Sequence, residues 1–198
     1  MLVLDETLLI GRGMVRCCYL HPEDASLVVK VPAGKKKEQL QANRKELKGY
    51  QFLLARHGRL DCISHCHGLI DTNLGQGLLC DCIRDADGAI STTIWNIVNS
   101  SQPVDVEYIL QVTRTLCDEL VRQDVWLFDL NLHNIALVRG ADNSYRPIIL
   151  DLKGRYDNKE FIPLSSYIGF LARKKRARRL RQLLERVSGY RGSGGGRG

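Results

Sequence analysis

Two segments decide the fold prediction: Asp129-Leu130-Asn131-Leu132-His133-Asn134 and, after one strand-like run, Ile148-Ile149-Leu150-Asp151. Mg²⁺ takes oxygen ligands, and proteins commonly supply only one or two carboxylates to it. We therefore predict that Asn134 and Asp151 bind Mg²⁺ and that Asp129 accepts a proton from a hydroxyl group. A plain polar loop and a strand-ending aspartate explain the same residues, so the segments need support from the rest of the chain.

Upstream, a lysine interrupts an apolar strand. Lys30 lies within Val28-Val29-Lys30-Val31, where its ammonium group is costly to bury unless it meets an anion. Glu46 follows in a segment with helical spacing, and a helix packed on the sheet can aim it at Lys30. Glu38 is the rival partner for Lys30. For both Lys30 and Glu46 the alternative is a solvent-facing position.

A glycine pair precedes the lysine. Gly11-Arg12-Gly13 lies between two strand-like runs, and glycines let backbone N–H groups approach phosphate oxygens closely. An ordinary β-turn has the same composition. We predict that these three residues contact the nucleotide.

The remaining pattern alternates between strands and helices. A helix should run from about Lys35 to a stop at Gly58, and a second should follow Pro103 with Asp105 as its N-cap. Trp95 and Trp126 are interpreted as core residues. The predicted strands and the last predicted helix are Leu2–Ile10, Met14–Leu20, Leu27–Val31, His67–Asp71, Gly77–Ile83, Ile135–Val138, Pro147–Leu150 and Leu180–Val187.

The order of these features predicts an α+β, protein-kinase-like bilobal fold. It has an antiparallel N-lobe sheet, one αC-type helix and a reduced helical C-lobe. The predicted boundaries are 1–83 for the N-lobe, 84–187 for the C-lobe and 188–198 for a disordered glycine-rich tail. The length of 198 residues and the 44% hydrophobic content fit two small lobes that share a cleft.

The same order predicts a function. ATP and Mg²⁺ are the expected cofactors, and the expected reaction transfers the γ-phosphoryl group to an unidentified hydroxyl acceptor, with Lys30, Asp129, Asn134 and Asp151 as catalytic residues. The alternative is a catalytically weak or inactive pseudokinase that acts as a regulatory binding protein.

The chain also resembles a known bacterial family, the PhoP regulatory network (YrbL-like) proteins. The resemblance is carried by Gly11-x-Gly13, Cys18-Tyr19-x-His21-Pro22-Glu23-Asp24, Lys30-Val31, Arg44-x-Glu46-Leu47-Lys48-x-Tyr50, Asp81-x-Ile83-Arg84-Asp85-x-Asp87-Gly88, Asn134-Ile135, Asp151-x-x-Gly154 and Ile162-Pro163-Leu164. It implies a protein-kinase-like fold and ATP-site roles for Lys30, Glu46, Asn134 and Asp151. It also implies that Asp81 to Arg84 form a hinge strand beside the adenine, with Asp81, Cys82 and Ile83 as nucleotide-binding residues.

Several motifs depart from those of protein kinases. Leu127-Phe128 precedes Asp129 in place of His-Arg, and the run from Asp151 to Gly154 is one residue longer than Asp-Phe-Gly. The third glycine of the loop is missing, and no Ala-Pro-Glu segment follows Asp151. These departures argue against a protein substrate and keep the pseudokinase alternative open.

Charge is concentrated at the C-terminal end. The net charge is +7, but residues 173–198 carry +9 and residues 1–172 carry −2. The basic helix expected over 173–186 is either a solvated face or a surface for an anionic membrane or a nucleic acid. Because aromatic residues are absent from the run, specific single-strand recognition is unsupported.

The cysteines and the apolar runs bear on location. Seven cysteines in a chain of this size favour a reducing cytoplasm, and we expect no signal peptide and no transmembrane segment. One group of cysteines and histidines could suggest a zinc site. Its spacing fits no strong zinc pattern, and buried reduced thiols explain it better. The group comprises Cys62, His65, Cys66, His67, Cys80 and Cys82.

Overall fold

A five-stranded antiparallel sheet forms the first half of the chain. The computed structural model describes residues 1–101, 104–125, 130–152 and 169–190. The strand order is β1-β2-β3-β5-β4. The strands are β1 (Leu9–Arg12), β2 (Arg16–Leu20), β3 (Leu27–Pro32), β4 (Cys66–Thr72) and β5 (Gly75–Asp81).

One long helix, α1 (Lys37–His57), connects β3 to β4 and packs on one face of this sheet. Strand alternation sends Val28 and Lys30 toward α1, while Val29 and Val31 face the other side with Leu4 and other apolar residues. The helix ends where predicted, because Gly58 adopts a φ of 71° and donates its N–H to the Leu54 carbonyl.

The N-terminal residues cover part of the sheet edge. The Leu2 N–H donates to the Asp71 carbonyl at 2.8 Å, and the Leu2 carbonyl accepts from the Asn73 N–H at 3.1 Å. The Asn73 side chain also bonds to both backbone groups of Leu4. Residues 2–4 therefore act as a short extension beside the end of β4.

In its described residues, the second half combines a small sheet with three helices. The sheet has the order β6-β7-β8 and comprises β6 (Thr92–Thr93), β7 (Ile135–Arg139) and β8 (Tyr145–Ile149). The helices are α2 (Ile94–Val98), α3 (Val106–Arg122) and α4 (Gly169–Gly189). The predicted N-cap is present, since the Asp105 carboxylate accepts from the Tyr108 N–H at 2.9 Å.

Helix α4 packs against α3 through its predicted apolar stripe. Leu180, Leu183 and Val187 are buried there, together with Leu116 and Leu120 of α3. Because the helix continues to Gly189, Ser188 and Gly189 are helical and not part of a tail. Residues 191–198 lie outside the described residues.

Four local features differ from the sequence predictions. Leu2–Ile10 is not one strand, because the Asp5 carboxylate accepts from the Thr7 N–H and caps a 3₁₀ turn at Glu6–Leu8 before β1. Strand β5 begins and ends two residues earlier than predicted, and α2 was not predicted at all. Trp95 of α2 is 37% exposed and is therefore not a core residue.

The predicted fold class is confirmed. The sheet is antiparallel, a single helix follows the lysine-bearing third strand, and the second half contains few helices and a short hairpin. The predicted boundary at residue 83 stays a prediction, and the last helix passes the predicted boundary at residue 187 by two residues.

Candidate functional site

Lys30 and Glu46 form a direct ion pair across the sheet–helix interface. The Lys30 Nζ lies 2.7 Å from the Glu46 Oε1, and both side chains are nearly inaccessible to solvent. Glu38, the rival partner, is exposed near the start of α1. The described residues therefore contain the arrangement that protein kinases use to position a phosphate-binding lysine, with the lysine on the third strand and its partner on the following helix.

Lys30 also reaches the second half of the molecule. Its Nζ donates to the Leu150 carbonyl at 2.6 Å, directly before Asp151. The Leu150 N–H in turn donates to the Asn134 carbonyl at 2.8 Å, because β7 and β8 pair antiparallel with Ile135 opposite Ile149. The lysine, the loop asparagine and the strand-end aspartate are thus brought together as the sequence indicated.

Arg16 joins this cluster and was not predicted from the sequence. Its Nη1 bonds to Glu46, and its Nη2 lies 2.8 Å from the Asp151 Oδ2. In the register of β2 and β3, Arg16 faces Pro32 and Cys18 faces Lys30, so Arg16 and Lys30 share the face toward α1. The missed signal was its position: counted from Gly11 and Gly13, Arg16 stands where the third glycine of a G-x-G-x-x-G loop would be.

Asn43 holds together the helix and the strands that carry Arg16, Lys30 and Glu46. It is almost fully buried in α1, and its Nδ2 donates to the carbonyls of Lys30 at 2.7 Å and Gln76 at 2.9 Å. Its Oδ1 accepts from Arg16 at 3.4 Å. This side chain therefore ties α1 to β3 and β5 at the level of the ion pairs.

Mutual pairing shifts the pKa values of Asp151 and Lys30 in the directions that favour their charged forms. Burial raises the pKa of Asp151, but the charges of Arg16 and Lys30 outweigh it and lower that pKa to about 2. Burial lowers the pKa of Lys30, and the charge of Glu46 outweighs this so that the pKa is raised. A buried, ionised carboxylate is a suitable Mg²⁺ ligand.

Asn134 and Asp151 can supply oxygen ligands to Mg²⁺, but Arg16 already contacts Asp151. Asn134 is half-buried, and its carboxamide makes no hydrogen bond to any residue that the structure describes. Asp151 offers a carboxylate, but Arg16 already binds one of its oxygens. Mg²⁺ at Asp151 would therefore use the other carboxylate oxygen or take the place of Arg16.

The glycine turn contributes backbone but not the Arg12 side chain. The Gly13 N–H donates to the Arg16 carbonyl at 2.8 Å, which closes the turn between β1 and β2. Arg12 points outward and pairs with Glu6 at 2.6 Å on the surface. The nucleotide contacts predicted for Gly11, Arg12 and Gly13 stay predictions, and Arg12 takes no part in the charge cluster.

The hinge residues leave the sheet where β5 ends. The Cys82 N–H donates to the Ser26 carbonyl at 2.7 Å, and the Ile83 carbonyl accepts from the Ser91 N–H at 2.9 Å. The Asp81 carboxylate bonds to His67 at 2.7 Å. These contacts fix the segment between the two sheets, and the predicted adenine contacts of Asp81, Cys82 and Ile83 stay predictions.

A cavity of about 400 Å³ lies beside the catalytic-type loop. The Trp95 ring stacks on His133 with centroids 4.2 Å apart, and Tyr190 lies edge-on to Trp95. Asn131 and Arg186 add polar groups to the wall. The cavity wall therefore includes His133, the residue directly before Asn134.

Asp129, the predicted proton acceptor, lies outside the described residues, as do Trp126 and Gly154.

The cysteines of the predicted zinc group lie largely in the core. Cys66 and Cys80 face each other on β4 and β5 with their Sγ atoms 3.5 Å apart. Together with Glu46 they are the one group of three potential metal ligands found within the described ranges. Because Glu46 is already bound by Lys30 and Arg16, the group needs no metal ion for charge compensation.

No helix among the described residues is long and apolar enough to cross a membrane. The basic run at 173–186 lies within α4, as predicted. Within that run, Leu180 and Leu183 face α3 and Arg186 lines the cavity.

The chain is similar to proteins of enteric bacteria and, weakly, to one kinase structure. YrbL of Escherichia coli strain K12 and YrbL of Shigella flexneri, both described as uncharacterized, are each 28% identical over 179 residues, which is 90% of this chain and 84% of theirs. A mutant form of the Mycobacterium tuberculosis PknI kinase domain is 15% identical with a TM-score of 0.48, over 73% of this chain and 57% of that one. This last similarity is too low to assign an activity.

A family model provides the remaining comparison. The model for PhoP regulatory network protein YrbL matches residues 2–188, which includes every residue of the charge cluster. Because the match spans nearly the whole chain, the protein belongs to the PhoP regulatory network protein YrbL family.

Proposed function

We propose that the protein binds ATP with Mg²⁺ between the five-stranded sheet and the β7–β8 hairpin, and that it transfers the γ-phosphoryl group to a hydroxyl acceptor. One observation carries the proposal: the Lys30 ammonium bonds to Glu46 on one side and to the Leu150 carbonyl, beside Asp151, on the other. An amine held between a helix carboxylate and the backbone carbonyl beside a second carboxylate is suited to hold a triphosphate.

Each residue has a role that its position supports. Lys30 binds phosphate oxygens, and Glu46 keeps its ammonium group oriented. Asn134 and Asp151 hold Mg²⁺, which offsets the charge that develops on the phosphoryl oxygens. In this proposal Asp129 takes the acceptor proton, the Gly11–Gly13 turn covers the phosphates, and Asp81–Ile83 border the adenine. Positioning and electrostatics supply most of the rate.

The acceptor side of the site is the cavity beside the loop. It is lined by Trp95, His133, Tyr190 and Arg186, and its volume lies within the range of small-molecule sites. A small hydroxyl compound suits a cavity of about 400 Å³ that is lined by side chains of α2, the loop and α4.

A regulatory protein that binds nucleotide without efficient turnover is the second candidate. It is favoured by the contact between Arg16 and Asp151, because this contact occupies a carboxylate that catalysis needs for Mg²⁺.

We also propose a cytoplasmic location, which suits seven free cysteines. Binding of an anionic membrane surface or a nucleic acid by the basic run of α4 remains part of this proposal.

The nucleotide proposal is tested by thermal unfolding with ATP and Mg²⁺. The melting temperature should rise steadily with ATP concentration, and 100-fold saturation corresponds to about 2.7 kcal/mol of stabilisation. Lys30→Met should abolish the shift, because it removes the phosphate-binding amine while Glu46 keeps Arg16 as a partner. Lys35→Met, at an exposed position before α1, is the matched control and should keep the shift.

An assay of phosphoryl transfer distinguishes the phosphotransferase from the regulatory protein. Radiolabelled ATP is incubated with a panel of small hydroxyl compounds, with Asp129→Asn as the comparison variant. Transfer that depends on Asp129 supports the phosphotransferase. An ATP shift with no transfer supports the regulatory protein, and the absence of any shift in the unmodified chain contradicts both.

A further inference from the structure

Arg16 changes the chemistry of the glycine turn. At the third-glycine position of such a loop, a backbone N–H alone would approach the phosphates. Here the position carries a permanent cation whose two terminal nitrogens bond to Glu46 and Asp151. An arginine is well suited to bridge two carboxylates, and equally suited to bind phosphate oxygens.

The charges within the cluster balance. Arg16 and Lys30 are positive, Glu46 and Asp151 are negative, and all four are at most one-quarter exposed. A divalent ion that approaches Asp151 meets a carboxylate already neutralised by a guanidinium 2.8 Å away. Since two cations close to one carboxylate repel each other strongly at low dielectric, the ion and Arg16 compete for that group.

We propose that Arg16 holds Asp151 in the nucleotide-free protein and moves to the triphosphate when a metal–nucleotide complex binds. This inference rests on the proposed function. Metal and nucleotide then bind together, and the metal alone binds weakly. Arg16 is accordingly a positioning residue for Asp151 and a phosphate-binding residue.

The exchange leaves no buried charge unpaired. Glu46 keeps Lys30 at 2.7 Å when Arg16 leaves, and Asp151 exchanges the guanidinium for the metal ion. Asn43 accepts only a long hydrogen bond from Arg16, at 3.4 Å, and its amide stays fixed by two backbone carbonyls. The rearrangement therefore requires one side chain to move and leaves the sheet and α1 in place.

Binding of Mn²⁺, followed by electron paramagnetic resonance in the absence of nucleotide, tests the competition. Arg16→Met should bind Mn²⁺ at least about tenfold more tightly than the unmodified chain, a ratio within reach of a single close charge pair. Adding Asp151→Asn to Arg16→Met should remove this gain. Arg56→Met, at the surface of α1 and paired with Asp124 at 3.3 Å, is the matched control and should leave Mn²⁺ binding unchanged.

Equal Mn²⁺ affinities in the unmodified chain and Arg16→Met, or no Mn²⁺ binding in either, would overturn the inference. Should Arg16→Met fail to fold by circular dichroism, the unmodified chain decides. Mn²⁺ alone should barely change its melting temperature, whereas Mn²⁺ with a non-hydrolysable ATP analogue should raise it; equal shifts overturn the inference. The metal-only measurement needs no nucleotide, so an absent ATP shift together with the expected Mn²⁺ difference would contradict the proposed function instead.

Discussion

The two sides of the candidate site are built by different means. On the proposed nucleotide side, Arg16, Lys30, Glu46 and Asp151 pair with one another in the interior, where a change to one charge affects the others. On the proposed acceptor side, the cavity is lined by partly exposed rings such as Trp95, which pack without forming a buried charge network. We infer that the first side is restricted to one kind of ligand, while the second can vary its residues and so its acceptor.

The largest effect should come from removing the shared carboxylate. Glu46→Ala leaves Lys30 without its carboxylate and Arg16 with Asp151 as its one remaining carboxylate, and loss of one partner of a buried pair costs about 3–5 kcal/mol. The free energy of unfolding in urea measures this change. Glu38→Ala, an exposed position on the same helix, should change stability by no more than about 0.5 kcal/mol. Similar losses in the two variants would show that the cluster is not a coupled network.

An intermediate loss of stability is expected when Asn43, the uncharged residue of the same cluster, is replaced. Asn43→Ala leaves the carbonyls of Lys30 and Gln76 without their donor, and an unsatisfied buried polar group costs about 1–3 kcal/mol. Urea unfolding again gives the value, with the exposed Gln41→Ala as the control. A loss as large as that of Glu46→Ala would mean that hydrogen bonds, and not charges, dominate the nucleotide side.

The smallest effect should come from the acceptor side. Trp95→Ala removes the ring stacked on His133, and aromatic pairs of this kind contribute about 0.5–1.5 kcal/mol beyond their buried area. The shift in melting temperature produced by ATP and Mg²⁺ should remain, because Trp95 has no contact with the charge cluster. Loss of that shift in a folded Trp95→Ala protein would show that the two sides are not independent.

The sequence predicted the parts of the site that have local signals. Lys30 interrupts an apolar strand and Glu46 lies on a helix, so their pairing could be inferred before any coordinates. The fold class followed from the order of the strands and helices. The ends of α1 and α3 followed from Gly58 and Asp105, whose backbone and side-chain chemistry stops or starts a helix locally.

Other features depend on long-range packing and gave no local signal. Arg16 is the first residue of β2, directly after a turn, where an exposed side chain is the usual expectation, and only the approach of β8 and α1 provides its two partners. Helix α2 has five residues, too few for a periodic pattern. The Asp5 cap competes with strand pairing over only three residues, so the predicted first strand was too long.

The backbone bonds between residues 2–4 and the end of β4 have a practical consequence. Strand β4 lies at the edge of the five-stranded sheet, and its last residues are occupied by Leu2. A version of the protein that lacks the first five residues would expose the Asp71 carbonyl and the Asn73 N–H as a template for self-association. Aggregation of such a truncated version would reflect this uncovered edge and would carry no information about ligand binding.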